Sequence, residues 1–195
     1  MSPPRLLTVV LAVAPLLAGC STRAPEADPA AAYRAALARV QGNRLGADPA
    51  DRVAAEAALA RFTAALATYS AEAIRTVGPA LYAPDAYLND QLKEVHGRDA
   101  IVDYLARSAD LLIEPQIVVV DAVLHDGHAY VRWEMTFRTR RDADDPPTAT
   151  RGVSHVVFDA DGRVAFQQDY WDTSAAIFEK VPVVGSIIRR VKAGL

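Results

Sequence analysis

The spacing of apolar residues changes near residue 117, and this restricts the architectures open to the chain more than any other feature. Leu59, Phe62, Leu66, Tyr69 and Ala73 recur at alternating three- and four-residue steps, which lines one face of a helix. Beyond the change the period is two. Residues 117–124 are rich in β-branched side chains, and residues 130–139 place Val131, Trp133, Met135 and Phe137 on one face of a strand. Helices first and consecutive strands afterwards predict an α+β fold with an antiparallel sheet.

Local signals divide the chain further. Asp28-Pro29 and Asp48-Pro49 each pair an N-cap with a proline at the first helical position, so a helix is expected after each, the second carrying the Leu59 to Ala73 stripe. Gly78-Pro79 should interrupt the next segment, which ends at 80–82, and 86–90 reads as a short strand. Gly97 leads into a helix over 98–108 with Ile101, Tyr104 and Leu105 on one side. His125-Asp126-Gly127 is a turn between strands, 142–147 a polar loop, and 153–159 with 163–172 a second hairpin closed by Asp159-Ala160-Asp161-Gly162. The last segment carries Ile177, Val181, Val184, Ile188 and Val191 at helical steps, broken by Pro182 and Gly185, and ends with Arg189, Arg190 and Lys192. It fits either a helix closing one end of the sheet or a basic amphipathic element lying on an anionic membrane.

Residues 6–18 are apolar apart from Thr8 and Pro15, shorter than the roughly 20 residues a membrane-spanning helix needs. With Arg5 before them and Ala18-Gly19-Cys20 after, they read as a signal peptide. Leu17-Ala18-Gly19-Cys20 resembles the lipobox of bacterial lipoproteins. That resemblance implies removal of 1–19, lipidation of Cys20, and residence in the bacterial cell envelope. Ser21, where an Asp would favour retention at the inner membrane, points to the outer membrane facing the periplasm. Residues 20–29 form a polar tether, and 30–50 a helical extension.

Composition narrows the functions. The formal net charge of −3 becomes −4 if Arg5 leaves with the signal, which offers nothing to nucleic acid. A single cysteine forms no disulfide within the chain and no thiolate cluster. His125 and His128 flank a turn with no third ligand nearby in sequence, so no metal site is expected.

Tyr82-Ala83-Pro84-Asp85-Ala86-Tyr87-Leu88-Asn89-Asp90, Gly97-Arg98-Asp99-Ala100-Ile101, Ser154-His155-Val156-Val157-Phe158-Asp159 and Asp169-Tyr170-Trp171-Asp172, in this order and spacing, resemble the SnoaL-like, nuclear-transport-factor-2-like superfamily that includes ketosteroid isomerases. The resemblance covers 51–173 and leaves 174–195 as a basic amphipathic addition. It implies a curved antiparallel sheet wrapped around helices, a cone with an apolar pocket, and a homodimer through the outer sheet face. Asp90 matches the proton-transferring base of the isomerases. The isomerases' enolate-stabilising donors do not carry over: Phe62 stands at the tyrosine position and Ser154 at the protonated aspartate, so steroid isomerisation is not expected.

On the last strand Gln167, Asp169 and Trp171 alternate toward the family's pocket. Asp90 and Asp169 are thus the candidate acid/base pair, with one pushed toward its neutral form if they share a cavity. Phe62, Tyr69, Trp133, Ser154, Gln167 and Trp171 are the candidate pocket wall. His155, beside Ser154, should point to the other face. Three functions are compatible with this reading: a module binding a small apolar molecule, a cofactor-free isomerase, cyclase or hydratase, or a noncatalytic dimerisation or docking module of the envelope.

Overall fold

A helix follows each of the two aspartates the sequence marks, although Ala30 rather than Asp28 is the N-cap of the first and Asp48 caps a 3-10 turn ahead of the second. In the computed structural model, which describes residues 28, 30–140 and 143–195, Asp28 Oδ1 accepts from the Ala30 N–H at 3.0 Å and Asp48 Oδ1 from that of Ala50 at 2.8 Å. The signal peptide, Cys20, most of the tether, Pro29, Arg141 and Asp142 lie outside the described residues. Helix α1 (Ala31–Val40) follows the first aspartate. A 3-10 turn (Pro49–Asp51) and α2 (Arg52–Ala67) follow the second.

The apolar stripe expected on one helix is split between two. Thr68 donates its hydroxyl back to the carbonyls of Ala64 and Ala65, both at 3.2 Å, and α2 stops. Ser70 then accepts from the Ala73 N–H at 3.1 Å and opens α3 (Ala71–Leu81). Short hydroxyl side chains compete in this way with the helical backbone pattern. Tyr69 therefore sits in the joint, and Ala73 belongs to α3. Gly78-Pro79 does not interrupt: both lie within α3, whose last turn tolerates the missing N–H because the Tyr82 N–H still reaches Gly78 O. Gly78 sets the distance to α4 (Arg98–Asp110), since a Cβ there would come 2.6 Å from Val102 Cγ2.

Six strands follow or interleave: β1 (Tyr82–Asn89), β2 (Glu94–His96), β3 (Leu112–His125), β4 (His128–Thr139), β5 (Thr148–Phe158) and β6 (Val164–Trp171). They form one sheet in the order β2-β1-β6-β5-β4-β3. All neighbours are antiparallel except β1 and β6, which run parallel and pair Leu88 with Gln167. Neither β2 nor the parallel pair has a signature in the local sequence. Register shifts in β1 between Tyr82 and Tyr87, a stretch holding Pro84, and in β3 between Ile113 and Gln116 and between Val119 and Asp121 bend the sheet. The Asp126-Gly127 turn has φ of 47° and 73°, as a tight hairpin with right-handed strand twist requires.

The concave face and α2 to α4 enclose the main core, where Leu88, Ile101, Val131, Val156, Phe158 and Val164 are fully buried. On the opposite face α1 lies over Tyr87, Val157 and Phe166, with Tyr33 edge-on to Phe166 at 5.5 Å. His155 points to this outer face, stacked on Tyr130 at 4.8 Å and hydrogen-bonded to His128 at 2.9 Å. Asp172, expected in the last strand, instead caps α5 (Thr173–Ala176) by accepting from the Ala175 N–H. The remainder is not one helix: a 3-10 turn (Phe178–Lys180) and a break at Pro182 and Val183 precede α6 (Val184–Ala193).

Candidate functional site

Alternation on β4, β5 and β6 aims Trp133, Ser154, Gln167, Asp169 and Trp171 at the concave side, where Phe62 from α2 and Tyr69 from the α2–α3 joint meet them. Together with Asp90 at the end of β1 they line one cavity of about 120 Å³. All eight candidate residues therefore converge. Leu66, Ile74 and Met135 make the rest of the wall predominantly apolar.

Asp169 is the polar centre. Gln167 Nε2 donates to both carboxylate oxygens at 3.1 Å, and Tyr82 Oη donates to Gln167 Oε1 at 2.7 Å. From the other side Ser154 hydrogen-bonds Asp169 while its Oγ accepts from Trp133 Nε1 at 3.0 Å. Two donor chains, Tyr82–Gln167 and Trp133–Ser154, thus fix one carboxylate against an apolar cavity. Its pKa is pushed up to about 6, by burial first and by the charge of Asp90 last, against the pull of Ser154 and Gln167.

Asp90 is placed differently. Its Oδ1 accepts from the N–H groups of Leu92 and Lys93 at 3.0 and 2.9 Å, holding a turn in which Gln91 has φ 72°. Its Oδ2 accepts from Tyr104 Oη at 2.6 Å, and its backbone carbonyl from Trp171 Nε1 at 2.7 Å. This carboxylate reaches the cavity with most of its acceptor capacity already used. Tyr69 has the reverse character. Burial and the charges of Asp90 and Asp169 raise its pKa far above the usual phenol range, so it stays a neutral O–H, and it has no hydrogen-bond partner among the described residues.

A second cavity of about 340 Å³ shares Tyr69, Asp90, Met135 and Trp171 with the first. Leu92, Leu111, Phe137 and the segment Ala176, Ile177, Lys180 and Val181 form its outer walls, so the C-terminal addition completes the mouth of the site. Tyr82 and Tyr104 escaped the sequence reading. Tyr82 acts through a side chain on β6 that only the parallel pairing brings near, and Tyr104 reads as an ordinary helix-face aromatic. Among the described residues no three His, Cys, Asp or Glu side chains are grouped to hold a metal ion, and no helix is long and apolar enough to cross a membrane.

A curved six-stranded sheet closing on three helices, with polar side chains at the bottom of an apolar cone, defines the nuclear-transport-factor-2-like class. Solved structures agree. The chain superposes on a Catenulispora acidiphila protein of ketosteroid-isomerase-like fold, in complex with trimethylamine, with TM-score 0.52 and 17% identity over 62% of this chain and 88% of the other. It superposes likewise on a Shewanella putrefaciens protein described as a candidate SnoaL-like polyketide cyclase, with TM-score 0.51 and 16% identity over 62% and 91% of the two chains. An NTF2-like protein of unknown function from Exiguobacterium gives TM-score 0.50 and 16% identity over 59% and 98%. The SnoaL-like domain model matches residues 59–167, more than half of the chain, and the chain belongs to the SnoaL-like family. No curated protein matches the sequence.

Proposed function

We propose that this chain is a lipid-anchored envelope protein whose SnoaL-like domain binds a small, mainly apolar molecule carrying one hydrogen-bonding group. The observation that carries the reading is the pairing of a single pre-positioned carboxylate, Asp169, with a neutral hydroxyl without a partner, Tyr69, in a cavity otherwise walled by apolar side chains. The inner cavity has the volume of one small ring, and the outer one accepts the rest of a larger molecule. Anchoring is supported by Leu17-Ala18-Gly19-Cys20, and placement in the outer membrane facing the periplasm by Ser21. Val118 and Tyr130, exposed on the outer sheet face, and Tyr170, exposed beside Tyr33 of α1, support a homodimer through that face.

The alternative is an isomerase, cyclase or lyase. It is favoured by the position of the Asp169 pKa, close enough to neutrality for a general base, and by the name of the Shewanella putrefaciens polyketide cyclase neighbour. In that reading Asp169 removes the proton, Tyr69 donates to the oxygen that gains charge, and Asp90 modulates both. Binding is the stronger reading because Asp90 is committed to its turn and to Tyr104, so the site offers one working carboxylate rather than a pair.

Native mass spectrometry of the protein extracted from its own membrane tests the proposal. A retained small molecule that Asp169→Asn or Tyr69→Phe releases is the expected result. Retention unchanged in both variants would overturn the site assignment, and turnover of a retained ketone- or enol-bearing compound would move the conclusion to the enzyme.

A further inference from the structure

Helix α6 turns its apolar residues to a face that the fold leaves uncovered. At about 100° per residue Val184, Ile187, Ile188 and Val191 form one stripe. The helix packs through a different side, where Gly185 lies so close to the turn Phe178–Lys180 that a Cβ would come 1.9 Å from Glu179 O. Arg189 Nη1 donates to the same carbonyl at 2.7 Å, and Lys192 Nζ pairs with Glu179 Oε1 at 2.6 Å. Ile187 and Val191 are 58% and 60% exposed, and Val183, just before the helix, 73%. A surface helix of a globular domain ordinarily buries such a stripe.

Two further observations say what covers it. Arg190 flanks the stripe, Arg189 and Lys192 turn toward Glu179, and 177–195 hold this one acid against four cations, Lys180, Arg189, Arg190 and Lys192, although the chain as a whole carries −3. A second copy docked stripe to stripe would bring together two segments in which cations outnumber the single acid, Glu179, itself already engaged by Lys192. Anionic headgroups match them instead. The chain that leads into α6 also borders the mouth of the site, since Val181, three residues before the helix, lines the outer cavity together with the exposed Leu92 and Leu111.

We infer that α6 lies in the headgroup region of an anionic bilayer, its apolar stripe toward the acyl chains, and sets the mouth of the pocket against the membrane. The partner is the lipid surface itself, bound by apolar area and by attraction between cations and anionic headgroups. The pocket ligand then enters from the bilayer without crossing water. This rests on the proposed function only in that the chain is held at a membrane, and no occupant of the pocket is needed to test it.

Hydrogen exchange of the protein extracted from its membrane and reconstituted in phosphatidylcholine nanodiscs, with and without phosphatidylglycerol, provides the test. Exchange of the α6 amides should slow at least about tenfold when phosphatidylglycerol is present, and the double variant Ile187→Glu, Val191→Glu should lose that protection. Both positions are exposed, and unchanged exchange in β4 to β6 of the variant controls for folding. The mass of the peptide bearing Cys20 reports lipidation separately, so failure of anchoring and failure of docking are distinguishable. Equal exchange in both nanodiscs, or protection surviving the double variant, overturns the inference. So does protection without lipid that grows with protein concentration, because it assigns the stripe to a second copy.

Discussion

Gly152 exists for Trp133. A Cβ at this position would lie 2.5 and 2.6 Å from the indole carbons Cζ2 and Cη2 and 2.7 Å from Tyr170 O, so only glycine lets the ring lie flat across β5 and hand its N–H to Ser154. Gly152→Ala should displace the indole, break the Trp133–Ser154 bond and loosen Asp169. Overpacking of this kind costs about 1–3 kcal/mol. Urea denaturation should show that loss, with a red shift of tryptophan emission; an unchanged midpoint and spectrum would remove Gly152 from the account. At this scale the sequence was informative where alternation within one strand decides the answer. Gln167, Asp169 and Trp171 fall at even spacings on one strand and so share a face, whereas Ser154 on the neighbouring strand was marked by the family resemblance. Asp90 was legible as a cavity residue but not as the cap of the turn after β1, because its partners are backbone N–H groups and a tyrosine on α4.

The joint between α2 and α3 shows why periodicity overreaches. The three- and four-residue steps continue through Tyr69 to Ala73 as if one helix carried them, yet the hydroxyls of Thr68 and Ser70 end one helix and cap the next. The break puts Tyr69 at the cavity instead of along a helix face. Close approach of α3 and α4 rests on Gly78. Gly78→Ala, despite the roughly 1 kcal/mol advantage of alanine within a helix, should destabilise, because the new methyl meets Val102. In a double-mutant cycle Val102→Ala should recover part of the loss, with a coupling energy of about 0.5–3 kcal/mol. Additive effects would mean that the two helices do not touch at this point. In the C-terminal addition Pro182 was a sound stop signal, but the unusual conformation of Val183, φ 69° with the Val184 N–H on Pro182 O at 2.8 Å, was not legible in a β-branched residue.

Two buried groups give the whole molecule opposite responses to acid. Asp169, at about 6 in the fold against 3.8 ordinarily, holds its proton more tightly folded than unfolded, so it makes stability fall as pH rises from about 4 to 6. His155 is lowered from 6.5 to about 4, by burial first and by His128 second, so it makes stability rise with pH across nearly the same window. His128, also lowered, adds to the second slope. The melting temperature of the wild type between pH 4 and 6.5 should therefore be flatter than that of either variant. Asp169→Asn should leave a rise with pH, and His155→Phe, which keeps an aromatic ring on Tyr130, a fall. Identical slopes in calorimetric scans of all three proteins would count against this pairing of opposed groups. The proposed dimer is tested at the same scale. Tyr130→Glu together with Tyr170→Glu should convert a dimer to a monomer in light scattering, while a dimer that survives both changes does not use this face.

The parallel pairing of β1 with β6 has a consequence in time. Tyr82 pairs with Val164 and Asn89 with Gln168, so the contact joins segments some eighty residues apart, whereas β3 to β6 zip up through neighbouring hairpins. Contacts so distant along the chain pay a large loop-closure entropy and are slow to form. The β3–β6 meander can therefore take shape first, with β1 added as the closing stave. Tyr82 and Asp90 travel on that stave, Gln167 and Asp169 on the one it joins. The candidate site is accordingly among the last parts of the fold to assemble, and a chain still being synthesised, with β6 not yet released, carries no such cavity.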